Sequence, residues 1–204
     1  ITAQDLWAVK RVGAPALSPD GKQAAYSVQE WSIEKNKPTA ALWLTDVASA
    51  RTRRLTAGTG SDTAPAWSPD GSRIAFVSKR FDDEAAALYV IPVGGGEAEK
   101  LVELPMGVAV PAWLPDGKGI VFATQVIPEL AGSFAKADLA AMKKEAKRRK
   151  DSKMTAYTSE YRQYRWFDRN LTDNLANRLL KIDVASKALT DLTSGQVLMV
   201  VATD

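Results

Sequence analysis

Between Tyr157 and Arg169 the chain interleaves rings, arginines and acids: Tyr157, Glu160, Tyr161, Arg162, Tyr164, Arg165, Trp166, Phe167, Asp168 and Arg169. An arginine grips a carboxylate with two parallel hydrogen bonds, and flanking rings can clamp an extended chain. Such a run can form a ligand-facing wall; equally, Tyr and Trp can pin a loop to the body of the protein. Three more acids recur in a fixed setting. Asp20, Asp70 and Asp116 each stand in Pro-Asp-Gly, 50 and then 46 positions apart. One carboxylate per copy, between a proline that presets φ and a glycine that takes the left-handed position, reads as a turn-former, neither a ligand nor an acid catalyst.

Other chemistry is excluded by absence. The 204 residues contain no histidine and no cysteine. A Ser-His-Asp or Cys-His mechanism cannot run on this chain alone, and imidazole and thiolate ligands for zinc are missing. No Gly-x-Ser-x-Gly elbow is present. We expect no catalytic residue, no metal and no cofactor within these residues.

The elements that must carry the wall follow from the repeat. Ala14-Pro15-Ala16-Leu17-Ser18-Pro19-Asp20-Gly21 returns as Ala64-Pro65-Ala66-Trp67-Ser68-Pro69-Asp70-Gly71 and as Val110-Pro111-Ala112-Trp113-Leu114-Pro115-Asp116-Gly117. Each turn is followed by a strand-like run with a ring five positions after the glycine: Tyr26, Phe76 and Phe122. A third strand (Leu42–Asp46, Leu88–Ile91, Leu179–Asp183), a turn of small residues, and a fourth strand ending near Leu55, Leu101 or Leu192 complete each unit. Four short strands at this period predict an all-β chain: a partial β-propeller of about three four-stranded antiparallel blades. The expected organisation is a lead-in with a short helix over 1–13, blades over 14–57, 58–105 and 106–195, and a tail over 196–204. Trp67, Trp113 and the three rings are expected to pack blade against blade.

The third copy breaks the rhythm. Tyr26 to Leu42 and Phe76 to Leu88 are short intervals, but Phe122 to Leu179 holds about 45 extra residues, placed over 125–175. Insertions in repeat folds map to loops on one face, often the binding face. The insert opens with a predicted helix from Phe134 to about Lys150, whose thin apolar stripe is Ala135, Leu139, Met142 and Ala146. From Lys136 to Lys153 eight Lys and Arg face three Asp and Glu. The net charge of +3 and the pI near 9.0 therefore come from this one segment. A solvated face is the plainest reading; docking to an acidic neighbour is another. Without interleaved aromatics on the helix, nucleic acid is not an expected partner. No run is long enough to span a membrane. The chain opens at Ile1, which suits a processed end or an internal boundary, so an export signal ahead of it stays open and both cytoplasm and periplasm fit.

The opening Asp5-Leu6-Trp7-Ala8-Val9-Lys10-Arg11-Val12-Gly13, the Ser-Pro-Asp-Gly blade after it, the basic helix, Tyr164-Arg165-Trp166-Phe167-Asp168 and the strand Arg178–Asp183 together resemble the N-terminal propeller of bacterial prolyl oligopeptidase family serine peptidases. The acylaminoacyl-peptidase and dipeptidyl-peptidase V-like branches are most similar, and the resemblance runs to about Gly195. TolB-like propellers share the Ser-Pro-Asp-Gly repeat. The resemblance implies a propeller of about seven blades that gates peptide access to a C-terminal α/β-hydrolase domain holding a Ser-Asp-His triad. It implies peptide substrate as a partner and Tyr164, Arg165, Trp166 and Asp168 as substrate-binding residues. The chain departs from the pattern by having no histidine in or after the Tyr-Arg-Trp region. It also ends in the apolar Gln196–Asp204 where another Pro-Ala-Trp unit is expected. Open blades leave edges that favour self-association. The alternative function is a non-enzymatic TolB-like propeller that binds a protein.

Overall fold

The computed structural model of the chain describes residues 2–32, 34, 36–57, 60–80, 82–130, 132, 134, 136–152, 165–166, 169–170 and 175–193. Helix α1 (Ala3–Ala8) is set by a capping box. The Asp5 N–H donates to Thr2 Oγ1 at 3.2 Å, and the Thr2 N–H donates to Asp5 Oδ2 at 2.7 Å. Three antiparallel sheets follow. In the first, β1 (Arg11–Val12) and β2 (Ala16–Leu17) share the first position and both pair with β3 (Gln23–Ser32), followed by β4 (Lys37–Asp46) and β5 (Thr52–Arg54). The second runs β6 (Thr63–Trp67), β7 (Arg73–Ser78), β8 (Ala87–Pro92), β9 (Glu99–Glu103). The third begins with β10 (Ala109–Trp113) and β11 (Gly119–Val126). A 3-10 turn (Pro128–Leu130), helix α2 (Lys136–Asp151) and a two-strand ladder, β12 (Arg165–Trp166) with β13 (Arg169–Asn170), intervene before β14 (Ala176–Asp183) and β15 (Leu189–Asp191) complete it.

The Pro-Asp-Gly turns are built by their own side chains. Ser68 Oγ donates to Asp70 Oδ1 at 2.5 Å and accepts the Arg73 N–H at 2.9 Å, while Ser72 adds its N–H and hydroxyl to the same carboxylate. Ser18, Asp20 and Gln23 repeat the pattern. In the third copy Leu114 replaces the serine and, among the described residues, the Lys118 N–H alone reaches the Asp116 carboxylate, at 2.9 Å. A Cβ at Gly119 would lie 2.9 Å from Leu114 Cδ1 and 3.3 Å from the Ile182 carbonyl oxygen, so a larger residue there requires the Leu114 side chain to shift.

Each first strand carries a bulge, and each ring sits opposite it. The register steps from Thr63↔Val77 to Ala66↔Ala75, so two residues oppose Phe76 alone; Ala109↔Ala123 and Ala112↔Val121 leave Phe122 in the same place. Both rings are fully buried. Tyr26 stands at the corresponding gap in the first sheet and bonds Thr45 through its hydroxyl at 2.9 Å. The extra residue forces Ala64 and Val110 to positive φ, 51° and 48°.

Period-two alternation assigns the core. Ile74 and Phe76 of β7, with Ala87, Tyr89 and Ile91 of β8, pack on Ala25, Leu42 and Leu44 of the first sheet. Their sequence neighbours Ala75, Val77, Leu88 and Val90 pack on Ile120, Phe122, Leu180 and Ile182 of the third. The middle sheet is buried on both faces, which is why β7 and β8 read as continuous apolar runs. Each large side chain so buried contributes about 1.5–3 kcal/mol. Two indoles stitch the sheets together: Trp67 Nε1 donates to the Ala16 carbonyl and Trp113 Nε1 to the Ala66 carbonyl. Arg73 adds a cation–π contact, 4.8 Å from the Trp113 ring. Among the described residues no helix is long and apolar enough to cross a membrane.

Candidate functional site

Antiparallel pairing places the end of β7, the start of β8, the end of β9 and the break between β11 and β14 at one end of the sheets. Helix α2 leaves that break and lies over the second sheet's end. It is anchored by a narrow apolar contact. Met142, 2% exposed, and Phe134 sink into the cluster that includes Leu104, Val108 and Val126, with Leu139 against it. The rest of α2 is polar, as its sequence dictates. Glu145 accepts Nε and Nη2 of Arg148, each at 2.7 Å, and Nε of Arg149 at 3.0 Å, and these bonds hold its carboxyl down to about 2. Lys143 Nζ meets Glu84 Oε1 across the gap at 2.9 Å. Both partners are exposed, so the pair adds little to stability.

A cleft of about 990 Å³ opens between helix and sheet. Leu104, Pro105, Met106 and Leu139 form its apolar floor; Lys143, Lys147 and Lys150 line the helix side, and Asp82, Glu84 and Glu103 the sheet side.

The sheet side is held by a charge network. Asp62, with no exposed surface, accepts Arg80 Nη2 at 2.7 Å and Nε at 3.0 Å and the Ser78 hydroxyl at 2.5 Å. Its own N–H donates to the Ala40 carbonyl of the first sheet at 3.0 Å. The Arg80 guanidinium also lies 4.9 Å from the Phe76 ring and 5.2 Å from that of Tyr89. Asp83 accepts the Arg80 N–H, the Tyr89 hydroxyl and Lys100 Nζ, each at 2.8 Å. Burial pushes the Asp83 carboxyl up, but Lys100, the Arg80 N–H and Tyr89 outweigh it and hold it below the usual carboxylate range. Burial, then the bond to Asp83, pushes the Tyr89 phenol up to about 12. Glu103 receives Lys100 at 3.1 Å and the N–H groups of Glu84 and Ala85 at 2.7 and 3.2 Å. The loop that forms one wall of the cleft is thereby tied down from both ends.

Of the wall anticipated between Tyr157 and Arg169, the backbone of Arg165 and Trp166 forms β12, paired with Arg169 and Asn170. Tyr164 and Asp168 lie outside the described residues. Asp20, Asp70 and Asp116 are bonded within their turns. The residues that shape the cleft carry no motif: Asp62, Arg80, Asp83, Lys100 and Glu103 come from separate segments of one blade, and only the sheet register brings them together. Among the described residues no group of three or more acids is placed to hold a metal.

Three sheets joined along their first strands, each a four-stranded antiparallel meander, define a partial β-propeller with a helical insertion in its third blade. Residues 8–156 match the TolB beta propeller domain family (PD40), and the chain belongs to it. Among curated proteins it is 37% identical over 91 residues to the uncharacterized peptidase YuxL of Bacillus subtilis, covering 45% of this chain and 14% of that protein. It is 37% identical over 78 residues to dipeptidyl-peptidase 5 of Porphyromonas gingivalis, covering 38% of this chain and 11% of the relative. Among solved structures, the acylaminoacyl peptidase of Pyrococcus horikoshii superposes with a TM-score of 0.61 at 15% identity, covering 89% of this chain and 24% of that one. The chain thus spans a small part of the length of the peptidases it is similar to.

Proposed function

We propose that these blades are part of the propeller of a serine peptidase of the prolyl oligopeptidase family, standing over a C-terminal α/β-hydrolase domain and admitting short or unfolded peptides to it. The observation that carries this reading is the 37% identity to proteins named as peptidases, one of them a dipeptidyl-peptidase. On this reading the acyl-enzyme chemistry belongs to the hydrolase domain. These 204 residues, without histidine, hydrolyse nothing alone and filter sterically. Tyr164, Arg165, Trp166 and Asp168 would then contact the peptide, with Arg165 suited to a carboxylate.

The test uses an antibody raised against this chain. The native polypeptide it captures should be much heavier than 22.1 kDa and should react with a fluorophosphonate probe. A native product of this mass that the probe leaves unlabelled overturns the reading. That result would favour a non-enzymatic propeller binding a protein partner, a reading supported by the TolB name of the family. In the labelled enzyme, Arg165→Ala should raise KM more than it lowers kcat. We also infer that the isolated chain self-associates through uncovered apolar positions such as Leu17, Val110 and Leu192. Light scattering from a stable monomer would count against that.

A further inference from the structure

We propose that the cleft beneath α2 binds an extended acidic peptide whose intervening side chains are apolar. This goes beyond the peptidase reading, because the cleft is made by helix and blade alone. Charge is the first reason. Helix α2 holds seven Lys and Arg against three Asp and Glu, and Glu145 is occupied by Arg148 and Arg149. Among the described residues Lys147 and Lys150 have no ion-pair partner, yet both line the cleft one turn apart. The facing acids are largely occupied: Glu84 holds Lys143, and Glu103 holds Lys100 and two N–H groups. Asp82 and Asp151 are the remaining carboxylates in the lining.

The floor is the second reason. Pro105, Met106 and Leu139 are half-buried and present apolar surface to the same cleft as those lysines, over the buried Leu104. A cleft of about 990 Å³ accommodates several residues of extended chain, at the upper end of ordinary ligand sites. On such a chain alternate side chains point the same way, about 7 Å apart. Carboxylates can therefore meet the lysines while the other side chains meet the floor. A phosphodiester chain fits worse. It carries a charge at every unit and has no apolar side chains to set against the floor, and among the described residues no aromatic side chain lines the cleft for bases to stack on.

The test is fluorescence anisotropy with the 204-residue chain and labelled octapeptides of alternating Leu and Glu, Leu and Gln, and Leu and Lys, beside an octanucleotide of uridine. The Leu/Glu peptide should bind at least about tenfold more tightly than the Leu/Gln peptide at low salt and weaken as salt rises. Lys147→Glu with Lys150→Glu should remove at least about tenfold of that affinity. Both side chains are exposed, so the thermal melt of the variant should be unchanged. Met106→Asp should weaken binding without touching a lysine. Equal binding of the Gln peptide, indifference to the double charge reversal, or tighter binding of the oligonucleotide would each overturn the proposal. An unlabelled native protein in the fluorophosphonate experiment would overturn the peptidase reading and leave this one standing.

Discussion

The indole N–H of Trp67 donates to the backbone carbonyl of Ala16, 51 positions earlier and one sheet away, at 2.9 Å. Trp113 repeats the contact one blade on, donating to Ala66 at 3.1 Å. Ala16 and Ala66 occupy the same place in consecutive copies of the repeat, and so do Trp67 and Trp113. One indole–carbonyl bond therefore ties the second sheet to the first and another ties the third to the second. Each does so by satisfying two polar groups that would otherwise be left among apolar neighbours.

Trp67→Phe keeps a ring and removes the donor. It should lower stability by about 1–2 kcal/mol, read as a shift in the urea midpoint. Trp113→Phe should do the same, with the cation–π contact from Arg73 weakened but kept. No shift in either variant would mean that the indoles pack but do not bond.

The Asp62–Arg80 pair lies where water cannot replace a lost partner. Asp62→Ala or Arg80→Ala alone should cost about 3–5 kcal/mol, because each strands a buried charge. The double variant should cost clearly less than the two single losses combined. Additive losses in a double-mutant cycle would show that the two side chains act independently.

Acid should attack the turns. The serine and backbone bonds hold Asp70 below the ordinary carboxylate value, Ser68 foremost. Asp20, Asp46 and Asp183 are lowered for the same kind of reason, by Ser18, Ser49 and Ser186. A folded pKa below the unfolded one stabilises fully above the unfolded value of about 3.9 and is lost as pH falls through the folded value. The denaturation midpoint should therefore hold down to about pH 4–5 and decline below it. Ser68→Ala should raise the Asp70 pKa measured by NMR and shallow that decline. A midpoint that rises on acidification would contradict the assignment.

Val110 is a β-branched residue at φ 48° with its side chain 73% exposed. The left-handed conformation costs such a residue roughly 1–2 kcal/mol, whereas glycine's extra freedom in the unfolded chain costs about 0.5–1 kcal/mol. Val110→Gly should thus leave stability unchanged or raise it slightly, the reverse of glycine's usual effect in a strand. A clear loss in thermal melting would show that the exposed side chain packs on something.

The blades were legible in the sequence because their causes are local. Pro-Asp-Gly closes a turn with its own atoms, a ring five residues later marks the bulge, and alternation within β7 and β8 states which side chains meet which neighbour. The long gap between Phe122 and Leu179 likewise marked the inserted helix, since a repeat makes an interruption visible. The cleft was not legible. Asp62, Arg80, Asp83, Lys100 and Glu103 are ordinary charges at unremarkable spacings, and Lys143 finds Glu84 only after Met142 has seated α2 on the second sheet. Turn chemistry and periodicity act over a few residues and can be read along the chain. Burying Asp62 beside Arg80, and opening a cleft between a helix and a neighbouring blade, depends on which segments the packed sheets bring within hydrogen-bond reach. Only the tertiary structure decides that.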